Sequence, residues 1–309
     1  MRRFDFERVL LVGNPTSGSR KVGRWFDAVA QEFNRAGFWV EELVTQFAGH
    51  GRQSANSHGC RHALVVAFGG DGTFNEVLNG ADLESSTLAV IPAGTGNVLA
   101  NELGMAGHPL RAVRQLLRGR LVRLDVGLCN GRRFICIFGA GLDAAVVRMV
   151  HARRGRRLTQ LHYVPHAVRA ALERVPWRIA VETHGEVLAE ELDQVNVGNT
   201  HSYGGPMEMT PAAGPADGLL DVMCMPRLGL ADVARLTACG FLRSLHRMPA
   251  VAYERAVRVR VTAARDDVPY QIDGEAAGVL PAELSIEPRA ARLLVPAAFR
   301  PRRALPLLR

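Results

Sequence analysis

Residues 63–80, ALVVAFGGDGTFNEVLNG, decide how the first half of this chain folds. They begin as an apolar run of the length typical of a strand buried on both faces, and Phe74, Val77 and Leu78 then recur with helical spacing. Between the two lie three glycines around Asp71. A strand, a glycine turn and a helix direct backbone N–H groups and a helix N-terminus at an anion, which glycine allows to approach closely.

Asp71 cannot bind a phosphate itself, because like charges repel. A carboxylate in such a loop suits a magnesium ion, or the water and donor network around one. Taken alone, the loop is explained equally well as an ordinary strand-to-helix connection whose glycines only make the turn.

Two similar segments lie on either side of this one in the sequence. The apolar run 9–12 leads into GNPTSGSRK at 13–21, and the run 86–92 leads into AGTGN at 93–97. The first lacks the GxxxxGK[ST] spacing of a P-loop, and the second has Leu99 where a dinucleotide fingerprint has its third glycine. The first is also explained as a plain strand-to-helix turn whose Ser or Thr side chain caps the next helix.

Strands and helices alternate through this half, which predicts a parallel α/β sheet covered on both faces. The predicted strands are 9–12, 38–45, 63–69 and 86–92, and the predicted helices lie near 25–33, 51–57, 73–80, 98–103 and 110–117. The three glycine loops then emerge at the carboxyl edge of the sheet, where ligands bind in open α/β folds. Their convergence favours a nucleotide site over three ordinary turns.

Composition narrows the classes of protein. Five scattered cysteines without a CxxC pair argue against a disulfide framework or a zinc site and fit a reducing cytosol. Acidic residues stand where a signal peptide has its apolar core, and no apolar run is long enough to span a bilayer. We therefore expect a cytoplasmic protein, soluble or peripheral on the inner face of the membrane. The net charge of +8 favours acidic partners, and nucleic acid is not expected, because aromatic residues make up only 6%.

The pattern of predicted secondary structure changes after residue 127, where short strand candidates replace the alternation of strands and helices. These candidates lie at 134–138, 178–182, 193–197, 219–225, 257–261 and 284–287, with helical interruptions near 142–175 and 229–246. The pattern predicts an α/β domain over 1–127 and a second, β-rich domain over 128–297. We expect the tail 298–309 to pack back on the first domain or to fray.

Three motifs of the second half carry chemistry. Asn199 to Pro206 is a glycine-rich turn containing Tyr203; GPADGLLD at 214–221 places a carboxylate among carbonyls that suit a hard cation; and QIDGE at 271–275 places two acids around one glycine. In a strand, Asp273 and Glu275 share a face. Taken alone, the second motif is better explained as an Asp-Gly hairpin turn, and the third resembles any exposed acidic turn.

Together these motifs resemble the diacylglycerol kinase catalytic family of bacterial lipid kinases, which is related to sphingosine and ceramide kinases. The matching pieces run in the family's order from residue 14 to residue 275: NPTSG at 14–18, GGDGT at 69–73 with Asn75-Glu76 and Gly80, PAGTGN at 92–97, YGG at 203–205, DGLLD at 217–221 and DGE at 273–275. GGDGT alone also occurs in NAD kinases and phosphofructokinases, whereas the ordered set is specific.

The resemblance implies an ATP-binding α/β domain related to that of NAD kinases, a C-terminal β-sandwich, and use of ATP and Mg²⁺. Asp273 would be the general base on a lipid hydroxyl, Glu275 would contact the ATP side, and Asp71 and Asp125 would belong to a water and magnesium network. The carbonyls of Gly214 and Leu219, with the Asp217 side chain, would hold a largely structural magnesium ion. The remaining residues expected around ATP are Asn14, Pro15, Thr16, Ser17, Gly18, Thr45, Gly70, Asp71, Gly72, Thr73, Phe74, Asn75, Glu76 and Thr95.

Two positions depart from the family's pattern. Val98 replaces the aspartate that usually follows the Gly-Thr-x-Asn string, which leaves the lipid's identity open, and Gly214 replaces a lysine of some members. The sequence thus predicts transfer of the ATP γ-phosphate to a hydroxyl of a diacylglycerol-like or related membrane lipid. The alternatives are a soluble-substrate kinase resembling NAD kinase and a catalytically silent binder of lipid or nucleotide.

The expected partners are therefore ATP, a hydroxyl-bearing lipid and a membrane surface, with a homodimer left open. The basic segment 148–157, RMVHARRGRR, is either a contact for anionic lipid or the solvated face of a helix.

Overall fold

The computed structural model describes residues 4–17, 21–57, 63–151, 177–204, 207–226 and 252–302, together with Asp232 and Cys239. The chain forms two compact units. The first unit contains Met1–Leu124 and Arg289–Arg300, and the second contains Asp125–Pro288 and Pro301–Arg309.

The first unit contains the predicted parallel sheet. Its strands are β1 (Arg8–Gly13), β2 (Trp39–Val44), β3 (Ala63–Gly69) and β4 (Thr87–Pro92), paired in the order β4-β3-β1-β2. The carboxyl end of the last strand of the chain, β17 (Ala282–Val295), adds to β4 in parallel through Arg292 and Leu293. The side chains of β4 are all buried, as the continuous apolar run predicts for a strand covered on both faces.

Five helices accompany this sheet: α1 (Lys21–Arg35), α2 (His50–Ser57), α3 (Asp71–Gly80), α4 (Val98–Glu102) and α5 (Pro109–Leu117). Each coincides with a predicted helix, and helix α1 packs against α5. The Arg114 guanidinium of α5 forms a two-point ion pair with Glu32 of α1. The predicted alternation of strands and helices is therefore confirmed in this unit.

The second unit is built from antiparallel strands, and helix α6 (Leu142–His151) interrupts them. The strand β5 (Arg120–Cys129) leads into this unit. The remaining strands are β6 (Arg132–Phe134), β7 (Ile137–Gly141), β8 (Ile179–Thr183), β9 (Glu186–Gly198), β10 (Ser202–Gly204), β11 (Met207–Glu208), β12 (Leu220–Pro226), β13 (Ala252–Ala256), β14 (Arg258–Ala263), β15 (Pro269–Ile272) and β16 (Glu275–Val279).

Pairing runs in the order β16-β15-β7-β9-β8-β14-β17, and β9 also pairs with β12, which pairs with β13. The unit is held by one apolar core that includes Phe134, Phe138, Val195, Val222 and Val261. The β-rich character of the second half is thus confirmed, although the sequence did not predict β13 or the β15–β16 hairpin.

Helix α6 confirms the start of the predicted helical stretch 142–175. The rest of that stretch and nearly all of 229–246 lie outside the described residues, as do Gly18, Cys60, Gly205 and 303–309. The four cysteines that are described carry free thiols. In the described part of the chain, no helix is long and apolar enough to cross a membrane.

Candidate active site

The loop after β1 is folded on itself and contacts the loop after β3. The Asn14 side-chain oxygen accepts hydrogen bonds from the backbone N–H of Thr16 at 3.0 Å and from its hydroxyl at 2.7 Å. The hydroxyl of Ser17 lies 3.4 Å from that of Thr73. The structure therefore brings two of the three predicted glycine loops together. Pro15 and Thr16, at the tip of the first loop, are exposed to solvent.

The loops after β3 and β4 approach each other closely at two glycines. A Cβ atom placed on Gly94 would lie 2.5 Å from Cα of Gly70, and no real side chain tolerates that distance. The first N–H groups of a helix, here those of Asp71, Gly72 and Thr73, have no acceptor within the helix. Gly70, the N-cap of α3, has no side chain that could accept them. Such a group of backbone donors is suited to a phosphate.

The second loop is fixed by Asn97, which adopts a left-handed backbone conformation with φ of 48°. Its side chain accepts the N–H of Gly94 and donates to the Gly94 carbonyl, both at 2.8 Å. Asp71 accepts the N–H of Leu99 at 3.3 Å, which ties the start of α3 to the first turn of α4. Thr95, at the tip of this loop, is exposed.

The other residues expected around ATP occupy different environments. Phe74 and Asn75 are buried on α3. The backbone N–H of Thr45 donates to the Gly13 carbonyl at 2.8 Å. The Glu76 carboxylate accepts the N–H groups of Gly49 at 2.8 Å and Gly51 at 2.9 Å, so both its oxygens hold the beginning of α2.

In the second unit, the predicted metal loop is clamped by Asp125. This fully buried carboxylate accepts the N–H of Gly218 at 2.7 Å, and the Asp125 N–H donates to the Pro215 carbonyl at 2.8 Å. Asp217 accepts the N–H of Leu219 at 3.0 Å through Oδ1, while its Oδ2 is buried and has no hydrogen-bond partner among the described residues.

That unpartnered oxygen is the observation that fits a cation. Burial raises the pKa of the Asp217 carboxyl and the neighbouring Asp125 adds to this rise, while the Leu219 N–H and the Arg255 guanidinium partly oppose it. A hard cation prefers carboxylate and carbonyl oxygens. The Asp217 side chain and the carbonyls of Gly214 and Leu219 therefore fit a magnesium ion by the chemistry of their donors.

Asp273 occupies the turn between β15 and β16 and is only 8% exposed. Its carboxylate accepts the backbone N–H groups of Ile135 at 3.1 Å, Cys136 at 2.9 Å and Ile137 at 3.0 Å. Donors on both oxygens suit an ionised carboxylate, which accepts hydrogen bonds and donates none. The arrangement fixes the orientation of this group, as a general base requires.

Glu275, which follows on β16, is half-buried and pairs with Arg132 at 3.1 Å. Sequence reasoning missed one further buried carboxylate of this unit, Asp143, and assigned no role to another, Asp221, which it quoted only as the end of the 214–221 motif. Burial raises the pKa of each to about 6. Asp221 is bonded to Tyr253 at 2.9 Å and to Arg255 at 3.1 Å. In the sequence, each of these acids stands among apolar residues, and this was the available signal of burial. Their hydrogen-bond partners come from distant positions in the chain, so the sequence did not indicate them.

Comparison with known proteins follows the same division of the chain. Residues 8–129 match the family described as diacylglycerol kinase catalytic domain, and residues 136–295 match the YegS C-terminal NAD kinase beta sandwich-like domain. The α/β domain followed by a β-sandwich-like domain, expected from the sequence, is therefore confirmed.

Full-length relatives are similar along nearly the whole chain. A diacylglycerol kinase from Bacillus subtilis is 32% identical over 282 residues, which cover 90% of this chain and 92% of that one. One from Mycobacterium tuberculosis strain H37Rv is 29% identical over 318 residues, covering 96% and 97%. The crystal structure of a diacylglycerol kinase from Bacillus anthracis has a TM-score of 0.75 at 20% identity, covering 95% of this chain and 98% of that chain, and shows the same fold.

Proposed function

The chain belongs to the diacylglycerol kinase catalytic family, and from that membership we propose that it is an ATP- and Mg²⁺-dependent lipid kinase. It transfers the γ-phosphate of ATP to a hydroxyl of a membrane lipid of the diacylglycerol type or a related one. The observation that carries the proposal is the 32% identity to a diacylglycerol kinase over 90% of the chain, through both domains.

The phosphates of ATP are bound by main-chain donors of the first unit. The N–H groups of the first turn of α3, after Gly70, and those of the loop 93–97 supply hydrogen bonds without the bulk of side chains. Phosphoryl transfer needs alignment and neutralised oxygens more than covalent help from the protein. Phe74, which is buried, and Glu76, which binds the start of α2, support this loop from within the unit.

The acceptor hydroxyl loses its proton to Asp273. The lipid oxygen forms a bond to the γ-phosphorus, the bond from that phosphorus to the β–γ bridging oxygen breaks, and ADP leaves with the electron pair. An alcohol is a weak nucleophile at neutral pH, so a carboxylate fixed by three N–H donors provides the required acceptor. When bound, Mg²⁺ neutralises phosphate charge and stabilises the loop 214–219 around Asp217.

The test is incubation with γ-labelled ATP and a total lipid extract, followed by identification of the labelled product. We expect a phosphorylated lipid from the wild type. The Asp273→Asn variant keeps ATP binding and loses about 100-fold or more in transfer rate, because Asn cannot accept the proton. Near-normal turnover of that variant would refute the role of Asp273.

The same assay separates the alternatives. With NAD added as the acceptor, labelled NADP would identify a soluble-substrate kinase, and ATP binding without turnover on any lipid fraction or on NAD would identify a silent binder. The identity to diacylglycerol kinases along both domains is the reason for placing the lipid kinase first.

A further inference from the structure

A cluster of buried polar side chains surrounds Asp143, at the start of α6. Its Oδ1 accepts the Tyr203 hydroxyl, and its Oδ2 accepts the side-chain amides of Asn196 at 3.1 Å and Gln271 at 2.9 Å. Gln194 donates to the side-chain oxygen of Asn196 at 2.6 Å. Among the described residues, the hydrogen-bond partners of this carboxylate are all neutral.

The sheet leaves a place for this carboxylate. Gly139 on β7 pairs with Asn196 on β9 and with Gln271 on β15, so the three residues form one row across three strands. A Cβ atom on Gly139 would lie 1.6 Å from Oδ2 of Asp143. The missing side chain at the centre of the row is therefore what admits the carboxylate between the two amides.

The same row reaches the turn that carries Asp273. The Gln271 side-chain oxygen accepts the N–H of Gly274 at 2.7 Å. Asp273 and Gly274 form a two-residue hairpin turn with φ of 50° and 81°, the left-handed pair that a type I′ turn requires. One side of the turn is thus held by the N–H groups of 135–137 on the Asp273 carboxylate, and the other by Gln271.

Stability alone does not account for this arrangement. A buried carboxylate surrounded by neutral groups is costly, since its desolvation is not offset by an opposite charge, and its pKa rises to about 6 for that reason. Apolar residues of similar volume would pack the row at lower cost. A fully hydrogen-bonded polar network, however, fixes a single geometry.

We propose that Asp143 is a positioning residue for phosphoryl transfer: through Gln271 it holds the Asp273–Gly274 turn in the orientation from which Asp273 accepts the proton of the acceptor hydroxyl. Tyr203 fixes the second oxygen of Asp143, which gives the tyrosine of the glycine-rich motif a role. The inference rests on the proposed function, because it concerns the base of that reaction.

The test compares variants for kcat, for KM of ATP and for the thermal unfolding midpoint. Asp143→Asn turns one acceptor oxygen into a donor that faces other donors, so the turn shifts and kcat falls about 100-fold with an unchanged KM for ATP. Tyr203→Phe removes one donor and lowers kcat about tenfold. The matched control is Val261→Ala, which opens a cavity in the core of the same unit and lowers the midpoint without lowering kcat.

A double-variant measurement identifies the route of the effect. In the Asp273→Asn background, Asp143→Asn causes no further loss of the residual rate, because the group it positions is already absent. Losses that multiply would overturn the inference, and so would a lowered midpoint with a wild-type kcat. If Asp143→Asn does not fold, the Tyr203→Phe variant decides by the same criteria.

Different results would contradict the positioning role of Asp143 and the lipid kinase activity. If the wild type phosphorylates lipid and Asp273→Asn does not, while Asp143→Asn and Tyr203→Phe keep the wild-type kcat, the positioning role is wrong and the lipid kinase stands. If the wild type phosphorylates no lipid, the proposed function fails first.

Discussion

Asp217 is the expected metal ligand of the second unit, and its hydrogen bonding is incomplete among the described residues. One of its oxygens accepts the N–H of Leu219, and the other is buried without a partner among the described residues. An orphaned buried oxygen costs free energy unless a proton or a cation occupies it. Burial raises the pKa of this carboxyl, and carboxylate and carbonyl oxygens are the ligands that a hard cation prefers.

We therefore predict that Mg²⁺ raises the thermal unfolding midpoint of the wild type and not that of Asp217→Ala. At about 100 times its Kd, a cation that binds only the folded state adds about 3 kcal/mol. Protons compete for the same oxygen, so the stabilisation is present above the raised pKa of Asp217 and is lost as pH falls through it. Thermal scans with Mg²⁺ and with a chelator, at several pH values, check this; an equal Mg²⁺ effect in the variant contradicts it.

At the scale of elements, Glu76 joins α3 to the start of α2. It accepts two N–H groups near the N-terminus of α2, those of Gly49 and Gly51, and so stabilises donors that the helix itself leaves unsatisfied. We predict that Glu76→Ala lowers the free energy of unfolding by about 1–2 kcal/mol and Glu76→Gln by less, because Gln keeps one acceptor. Urea unfolding measures both.

The two roles considered for Glu76 lead to opposite results for Glu76→Gln. If it acts on the helix, ATP affinity is nearly unchanged while stability falls. If it contacts the nucleotide, ATP affinity falls and stability is unchanged.

The close approach of two loops in the first unit gives a third test. Gly94→Ala would place a Cβ atom 2.5 Å from Cα of Gly70, so the loops after β3 and β4 must separate. We predict about tenfold weaker ATP binding, a loss of about 1.4 kcal/mol, by isothermal titration. Gly23→Ala on α1 is the control, since its Cβ meets nothing within 4 Å and should leave ATP binding unchanged. Wild-type affinity in Gly94→Ala would show that the close approach is not needed for nucleotide binding.

These elements show which features of the sequence carry structural information. The strands predicted at 63–69 and 86–92 are observed at Ala63–Gly69 and Thr87–Pro92, because a strand buried on both faces has to be continuously apolar. The β15–β16 hairpin was not predicted, since PYQIDGEAAGV at 269–279 has neither a continuous apolar run nor strict alternation. Its acids were noted, but not the turn that holds them.

The candidate site was predicted in its motifs and not in its contacts. The aspartates at 71, 217 and 273 were identified in glycine-flanked patterns, and Asp125 was named only through the family resemblance. Asp143 was not, because its role depends on Gly139 pairing with Asn196 and Gln271, a register that brings together residues more than 50 positions apart. Glu76 shows the same limit, since its partners at 49 and 51 precede the motif to which it belongs.

For the whole molecule, the two points at which the chain leaves one unit and enters the other were the hardest feature to predict from the sequence. The division between the units falls within β5 and again within β17, so that residues 289–300 belong to the first unit. The sequence predicted only 284–287 as a strand in this region, because the alternation of apolar residues lapses around Pro288. A long strand shared by two units has no local signature in composition.

The charge of the whole molecule leads to the last prediction. A net charge of +8, carried by arginine at every basic position except Lys21, and the proposed lipid substrate together predict attraction to an anionic membrane surface. We expect the protein to co-sediment with vesicles containing anionic lipid and far less with neutral vesicles. Because the Debye length shortens with salt, binding should fall as ionic strength rises from about 0.05 M to 0.5 M.

The basic segment 148–157, which lies largely outside the described residues, allows a sharper version. Replacing Arg153, Arg154, Arg156 and Arg157 by Gln removes up to about 1 kcal/mol of binding to anionic vesicles for each charge near the surface. The control replaces four exposed arginines of the first unit, Arg24, Arg52, Arg111 and Arg118, by Gln, which removes the same charge from outside the segment. Turnover on a water-soluble short-chain substrate should be the same in all three proteins, so that a lower rate on vesicles reports docking alone. Equal binding of the wild type to neutral and anionic vesicles would show that charge does not bring this enzyme to its substrate.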